Sequence, residues 1–253
     1  LSHGETAKDT AQVLSRMGHA IACRNCFYGI GNKYLREMAK WSDIPILNLQ
    51  CDVYHPMQVM ADTMVMQEKF GKNLKGLKVT ISWAYAESHA KPVSVPQSQL
   101  LMFARYGVDI TVAAPKEFPL QKNIVEQARK NAADGGGSIR FVDDMDAGFE
   151  GAQIVIPKNW GGFAHFDKWN DSDEQKREMK SNLEKHKNWI CDERRMKLAS
   201  KDVKYMHALP ADRGKEVTDA VIDNENWSIV IDEAENRLHT AKAVMALSMG
   251  GVS

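Results

Sequence analysis

Short apolar runs alternate with stretches of helical periodicity along most of this chain, and that rhythm restricts the fold more than any other feature. "AIAC" (20–23) follows the amphipathic "TAKDTAQVLSRM" (6–17), and "IPILNL" (44–49) follows "NKYLREMAKW" (32–41). Beyond Gly76 the rhythm resumes with "LKVTISWAY", a helical "SQLLMFARYG", "VDITVAAP", a helical "NIVEQARKNAA", and then "IRFV", "AQIVIP", "VKYMHALP" and "WSIVID". Strands separated by helices predict an α/β fold of parallel sheets flanked by helices. At 253 residues the chain fits one long domain or two smaller ones. "GKNLKG" at 71–76, polar and flanked by glycine, marks a boundary and favours two.

Composition removes several functions. The 33 basic and 33 acidic residues cancel and are interspersed, so the chain lacks the footprint of a nucleic-acid binder. No apolar run is long enough to span a bilayer, and the polar opening "LSHGETAKDT" is unlike a signal peptide, so a cytoplasmic location is expected. Cys23, Cys26, Cys51 and Cys191 are too few and scattered for a disulfide scaffold. "CRNC" at 23–26 has metal or redox spacing but no second pair, so neither a metal nor a cofactor is expected. No dinucleotide or phosphate-binding glycine motif occurs; "DGGGS" at 134–138 reads as a helix stop. The charged segment 165–188 reads as a loop and a solvated helix.

The polar residues at predicted element ends carry the chemistry. Pro56 suits a first helical position, which puts His55 at the N-cap and Gln58 one turn in, where amides and the dipole favour an anion or a carbonyl oxygen. Simple capping by His55 with a solvated Gln58 fits the same pattern. Arg24, Lys158 and His207 end predicted strands, where ligands gather in parallel sheets; taken singly, each also fits a solvated cation or a packing residue. Arg237 falls near the start of the last predicted helix, where the dipole disfavours a cation, and Glu233 and Glu235 stand close enough to compensate it.

In these motifs the sequence resembles the aspartate/ornithine carbamoyltransferases. Their H-P-x-Q is matched by His55, Pro56, Met57 and Gln58, their H-C-L-P by "HALP" at 207–210 followed by "RGKEVTD", and their closing arginine segment by "ENRLHTAKAVMAL". The opening "SHGETAKDTAQVLSRM", with Arg24 beyond it, matches the segment before a phosphate-contacting arginine. The resemblance implies a carbamoyl-phosphate domain made of 1–75 and 232–253 and an amino-acceptor domain of 76–231. It also implies that Arg24 and Arg237 hold phosphate, His55 polarises the carbamoyl oxygen, Gln58 meets the carbamoyl group and the Leu209 carbonyl meets its nitrogen. A homotrimer with active sites shared between subunits is implied as well.

"SWAYAESHAKPVSVPQS" at 82–98 stands where ornithine enzymes carry an asparagine pair, and resembles the knotted branch that acts on N-acylated ornithines. Lys158 in "PKNW" would repel a free ornithinium and favour an acylated or acidic acceptor. The implied acceptor pocket comprises Trp83, Lys158, Trp160, His207, Ala208, Leu209 and Pro210, with a buried structural role fitting each tryptophan at least as well. Ala208 replaces the usual cysteine, and the family's Ser-Thr-Arg-Thr phosphate loop does not occur, so the sequence is expected to lack an N-terminal portion. A non-catalytic homologue with a binding or regulatory role is the alternative; a nicotinamide-dependent dehydrogenase lacks its glycine fingerprint.

Overall fold

The apolar run that begins at Leu77 becomes the middle of a five-stranded sheet. The computed structural model describes residues 4–87, 91–161 and 172–250. In it β3 (Lys78–Trp83) lies between β4 (Asp109–Ala113) and β6 (Ile154–Lys158), with β5 (Ser138–Val142) outside β4 and the short β7 (Lys204–Tyr205) outside β6. All four pairings are parallel. The sequence of β3 explains its place: Val79, Thr80, Ile81, Ser82 and Trp83 are all buried, as a strand covered on both faces requires. From β3 the chain steps outward to β4 and β5, then returns to the other side of β3 to build β6. That reversal opens a crevice beyond the carboxyl ends of β3 and β6, the usual ligand position in such sheets.

A second parallel pair, β1 (Ile21–Asn25) and β2 (Ile46–Cys51), stands apart from this sheet. It packs with α1 (Ala7–Ser15) and α2 (Gly31–Trp41) around a small core that contains Ala11, Ile21 and Met38. Then comes α3 (Pro56–Phe70), whose Val59, Val65 and Met66 join the large core with Ile81, Trp83 and Ile156. The remaining helices are α4 (Ser94–Arg105), α5 (Lys122–Gly135), α6 (Met145–Phe149), α7 (Asp173–Lys185), α8 (Glu193–Met196), α9 (Asp219–Ile222) and α10 (Val230–Ser248). The long α10 returns to pack against α3, and so the chain's end lies beside His55's helix. Among the described residues no helix is long and apolar enough to cross a membrane.

The glycine run behaves as expected: Gly136 ends α5 at φ +75° and gives its N–H to the Ala132 carbonyl. Two expectations change. "WSIVID" is not a strand; Tyr205 exchanges hydrogen bonds with Trp227 and Ile229, and α10 begins at once at Val230 with Asp232 and Glu233 in its favoured acidic first turn. Arg237 therefore sits two turns inside α10, and the dipole argument for an anion there lapses. The charged segment forms α7, but Met179 and Leu183 are buried, so one face of that helix belongs to the core. Its residues 165–171, and residues 88–90 of the loop expected to thread a knot, lie outside the described residues.

One close approach locks β1 to α2. Asp52, beyond β2, accepts the amides of Gly29 and Asn32 at 2.7 Å each, and a Cβ on Gly31 would stand 1.9 Å from the Asn25 carbonyl oxygen. Gly31→Ala is expected to destabilise the chain by at least about 1–3 kcal/mol, because backbone must move to admit the methyl; urea unfolding measures it, and an unchanged midpoint contradicts the packing described.

Candidate active site

His55 is the N-cap of α3 with Pro56 behind it at the first helical position, but its side chain makes no capping bond. Instead its backbone amide donates to Ser98 Oγ of α4 at 2.8 Å, which fixes the main chain and leaves the ring free. The residue is buried, and Nδ1 has no hydrogen-bond partner among the described residues. Burial lowers the ring's pKa to about 3, helped by the charges of Arg237, Arg24 and Lys158. Those cations come from α10, β1 and β6, so three distant segments direct positive charge at one neutral imidazole.

Behind the ring lies a closed polar network. Gln58, itself buried, donates its Nε2 hydrogens to Asp62 Oδ1 at 2.7 Å and Glu233 Oε1 at 3.0 Å, while its Oε1 accepts from Arg237. Gln99 of α4 donates to the other oxygen of Asp62 at 2.7 Å. The second oxygen of Glu233 accepts the backbone amide of His207 at 2.8 Å. One carboxylate of α10 thus touches α3 and the loop after β7. With both N–H groups of Gln58 committed, its carbonyl oxygen is the atom left with capacity for a ligand.

The loop after β7 is organised by Glu216. Fully buried, this carboxylate accepts the amides of Asn159 at 2.6 Å and Asp212 at 2.7 Å and pairs with Lys91 at 3.2 Å. Burial alone would raise its pKa, yet contact with His207 and the charges of Lys158 and Lys91 outweigh that and hold it far below the usual range. His207 Nε2 lies 3.3 Å from Glu216 Oε2. Burial keeps the His207 ring neutral, and Nδ1 accepts the Leu209 amide at 2.9 Å. That bond supports Leu209 at φ +44°, a left-handed conformation costly for a branched side chain. Leu209, Pro210 and Ala211 then line one side of a cavity of about 780 Å³ that reaches Arg213 and Ile231.

Lys158 ends β6 half-buried; burial lowers its ammonium pKa, and Glu216 opposes the shift. Among the described residues no carboxylate comes within ion-pair distance of it. Trp83 and Trp160 occupy a different place from the one expected of them. Both have no exposed surface, Trp83 Nε1 donates to the Trp160 carbonyl and Trp160 Nε1 to the Phe118 carbonyl, each at 2.9 Å, and Trp83 stacks on Phe118 at 4.5 Å. They brace the wall behind Lys158 in place of lining a pocket. Asp62, Gln99, Asn159 and Glu216 were missed in the sequence, although Asp62 left a signal: it follows Gln58 by four residues, on the same helix face, inside an apolar stretch.

Residues 1–68 match the carbamoyl-P binding domain of the aspartate/ornithine carbamoyltransferases, and residues 75–248 match the family's Asp/Orn binding domain. YgeW of Escherichia coli, provisionally named a carbamoyltransferase, is 38% identical over 253 aligned residues, covering 88% of this chain and 64% of that protein. The ornithine carbamoyltransferase of Hyperthermus butylicus is 37% identical over 247 residues, with 98% of this chain and 72% of the relative covered. A crystal structure of acetylornithine transcarbamylase complexed with acetylcitrulline superposes with a TM-score of 0.87 at 32% identity, covering 98% of this chain and 74% of that one. The chain thus spans a little under two thirds of the Escherichia coli relative.

Two outcomes follow from the electrostatics. Between pH 6.5 and about 3 the unfolded chain protonates His55 and the folded chain does not, so stability attributable to this ring falls as pH drops through that window. Nitrogen-15 spectra of labelled histidine should show one ring that stays neutral well below pH 6; a His55 titrating at its ordinary value contradicts the site geometry. Glu216→Ala should cost about 3–5 kcal/mol in chemical unfolding, because Lys91 and two amides lose their buried acceptor.

Proposed function

The chain belongs to the aspartate/ornithine carbamoyltransferase family, and from that premise we propose that it moves a carbamoyl group between carbamoyl phosphate and the amino group of an acylated or acidic amino-acid-like acceptor. The observation that carries this reading is that the charges of Arg24, Arg237 and Lys158 all act on the neutral, buried imidazole of His55, whose Nδ1 has no partner among the described residues. Carbamoyl transfer needs such a set. As the amine attacks, a C–N bond forms, charge collects on the carbamoyl oxygen, the C–O bond to phosphate breaks, and the amine's proton leaves with the phosphate or through a neighbouring base. In this reading a neutral His55 donates to the developing oxyanion, and Arg24 and Arg237 hold the phosphate throughout. The free capacity on Gln58 Oε1 suits the carbamoyl NH2, as does the Leu209 carbonyl.

Lys158 carries the choice of acceptor. A half-buried ammonium with no ion-pair partner among the described residues suits a ligand carboxylate or acyl oxygen and opposes a second free amine. The relatives' names include both ornithine and acetylornithine as acceptors, and one solved relative holds N-succinyl-L-norvaline with carbamyl phosphate. The acylated class is the one this lysine favours. Ala208 removes a thiol from the loop but leaves the backbone through Leu209 and Pro210 in place. A homotrimer is part of the same proposal.

Phosphate release from carbamoyl phosphate, assayed with N-acyl diamines, amino dicarboxylates and plain ornithine, tests it. Acylated or acidic acceptors should be preferred, and Lys158→Met should raise their KM about tenfold with little change for carbamoyl phosphate. His55→Ala should lower kcat by roughly a hundredfold or more. Efficient use of plain ornithine overturns the acceptor, and a full-length protein that neither binds nor consumes carbamoyl phosphate overturns the reaction.

A further inference from the structure

Two acids sit side by side beneath the site, and neither belongs to the roles given above. Asp62 of α3 and Glu233 of α10 are both fully buried and accept from one Gln58 nitrogen, at 2.7 and 3.0 Å. Two buried carboxyl groups gathered on one nitrogen cannot both carry a charge without a large penalty. We propose that Asp62 and Glu233 share one proton and form a positioning pair that orients Gln58 and ties the His207–Pro210 loop to α3 and α10. The inference rests on the carbamoyl-transfer reading for its consequence, though not for the proton itself.

Charge balance supports it. The groups that face the pair are Gln58 from α3, Gln99 from α4, Arg237 from α10 and the backbone amide of His207 after β7. Arg237 is the charged member of that set, and it acts on both acids. One cation and two carboxylates leave a buried net negative charge, whereas one cation, one carboxylate and one carboxyl leave none. Burial pushes Glu233 well above its ordinary range, and the neighbouring Asp62 pushes it further; burial is likewise the main cause of the upward shift of Asp62. Because the folded value is raised, the stability this proton contributes is present at low pH and is lost as pH rises through that value.

The acid pair also decides which way Gln58 points. Both Gln58 N–H groups face carboxyl oxygens, so its carbonyl must turn to Arg237 and the site. If Glu233 loses its second oxygen, the His207 amide is left buried without an acceptor, and the Leu209 carbonyl is no longer held in register with His55. Glu233 is therefore a positioning residue that acts through Gln58 and the loop.

The test has two arms. A carbon-13 carboxyl titration of the ligand-free protein should show one carboxyl that stays protonated above neutral pH and whose signal is lost in Glu233→Gln. Two ionised carboxylates at neutral pH overturn the proposal. In the second arm, binding of phosphonoacetamide, a stable mimic of carbamoyl phosphate, should weaken about tenfold in Glu233→Ala, and Glu233→Gln, whose one carbonyl oxygen can still accept the His207 amide, should recover part of that loss. Wild-type affinity should fall at alkaline pH while that of Glu233→Gln should not. Equal losses in the two variants, or equal alkaline profiles in wild type and Glu233→Gln, also overturn it. If the wild-type protein does not bind phosphonoacetamide at all, the carbamoyl-transfer reading fails while the titration still decides the shared proton.

Discussion

The carboxyl of Glu233 joins three segments that lie far apart in the chain: Gln58 on α3, its own helix α10, and the His207 amide after β7. The last helix packs on α3 in a register fixed by buried polar bonds, among them Glu233 to Gln58, Arg237 to Gln58 and Thr240 to the Met57 carbonyl. A hydrophobic interface tolerates small slides; a fully buried carboxyl that must satisfy an amide on each side does not. Of these bonds, those of Glu233 are the ones that also reach the loop of His207 and Leu209.

The site's other property is an imbalance of charge. Lys91 is matched by Asp212 and Glu216, and the acid pair faces Arg237, while Lys158, which has no ion-pair partner among the described residues, and Arg24 at the exposed end of β1 both act on the His55 ring. Exposed surface cations would mean little, since solvent screens them. Here Lys158 is half-buried and the ring they act on is buried, so the field is felt where water is thin. A site built this way favours an anionic ligand that brings its own negative charge, and it keeps the imidazole neutral at any ordinary pH.

Much of this was legible beforehand. The H-P-x-Q and H-A-L-P segments and the final arginine stretch could be read as one site because together they resemble the motifs of the carbamoyltransferases; their polar groups at element ends alone made them suspect only as a group. The parallel alternation was legible for a related reason: strands buried on both faces must be continuously apolar, and β3 is. Trp83 and Trp160 misled because an aromatic beside a pocket and an aromatic behind its wall have the same local sequence; only the packing of Phe118 against the Trp83 ring distinguishes them. "WSIVID" misled because its β-branched residues suit a strand, and the bonds from Tyr205 that end the extended stretch come from elsewhere in the chain.

What the sequence determined on its own was the inventory: parallel strands with helices between them, and His55, Gln58, Arg24, Arg237 and Lys158 as polar groups at positions where packing does not need them. What only the tertiary structure decided was their electrical state. Whether a carboxyl holds a proton, or an imidazole stays neutral, depends on how much water surrounds it and which charges stand nearby, and those neighbours come from segments 175 residues away and more. Periodicity reports which face of a helix is buried, but not what that face will meet.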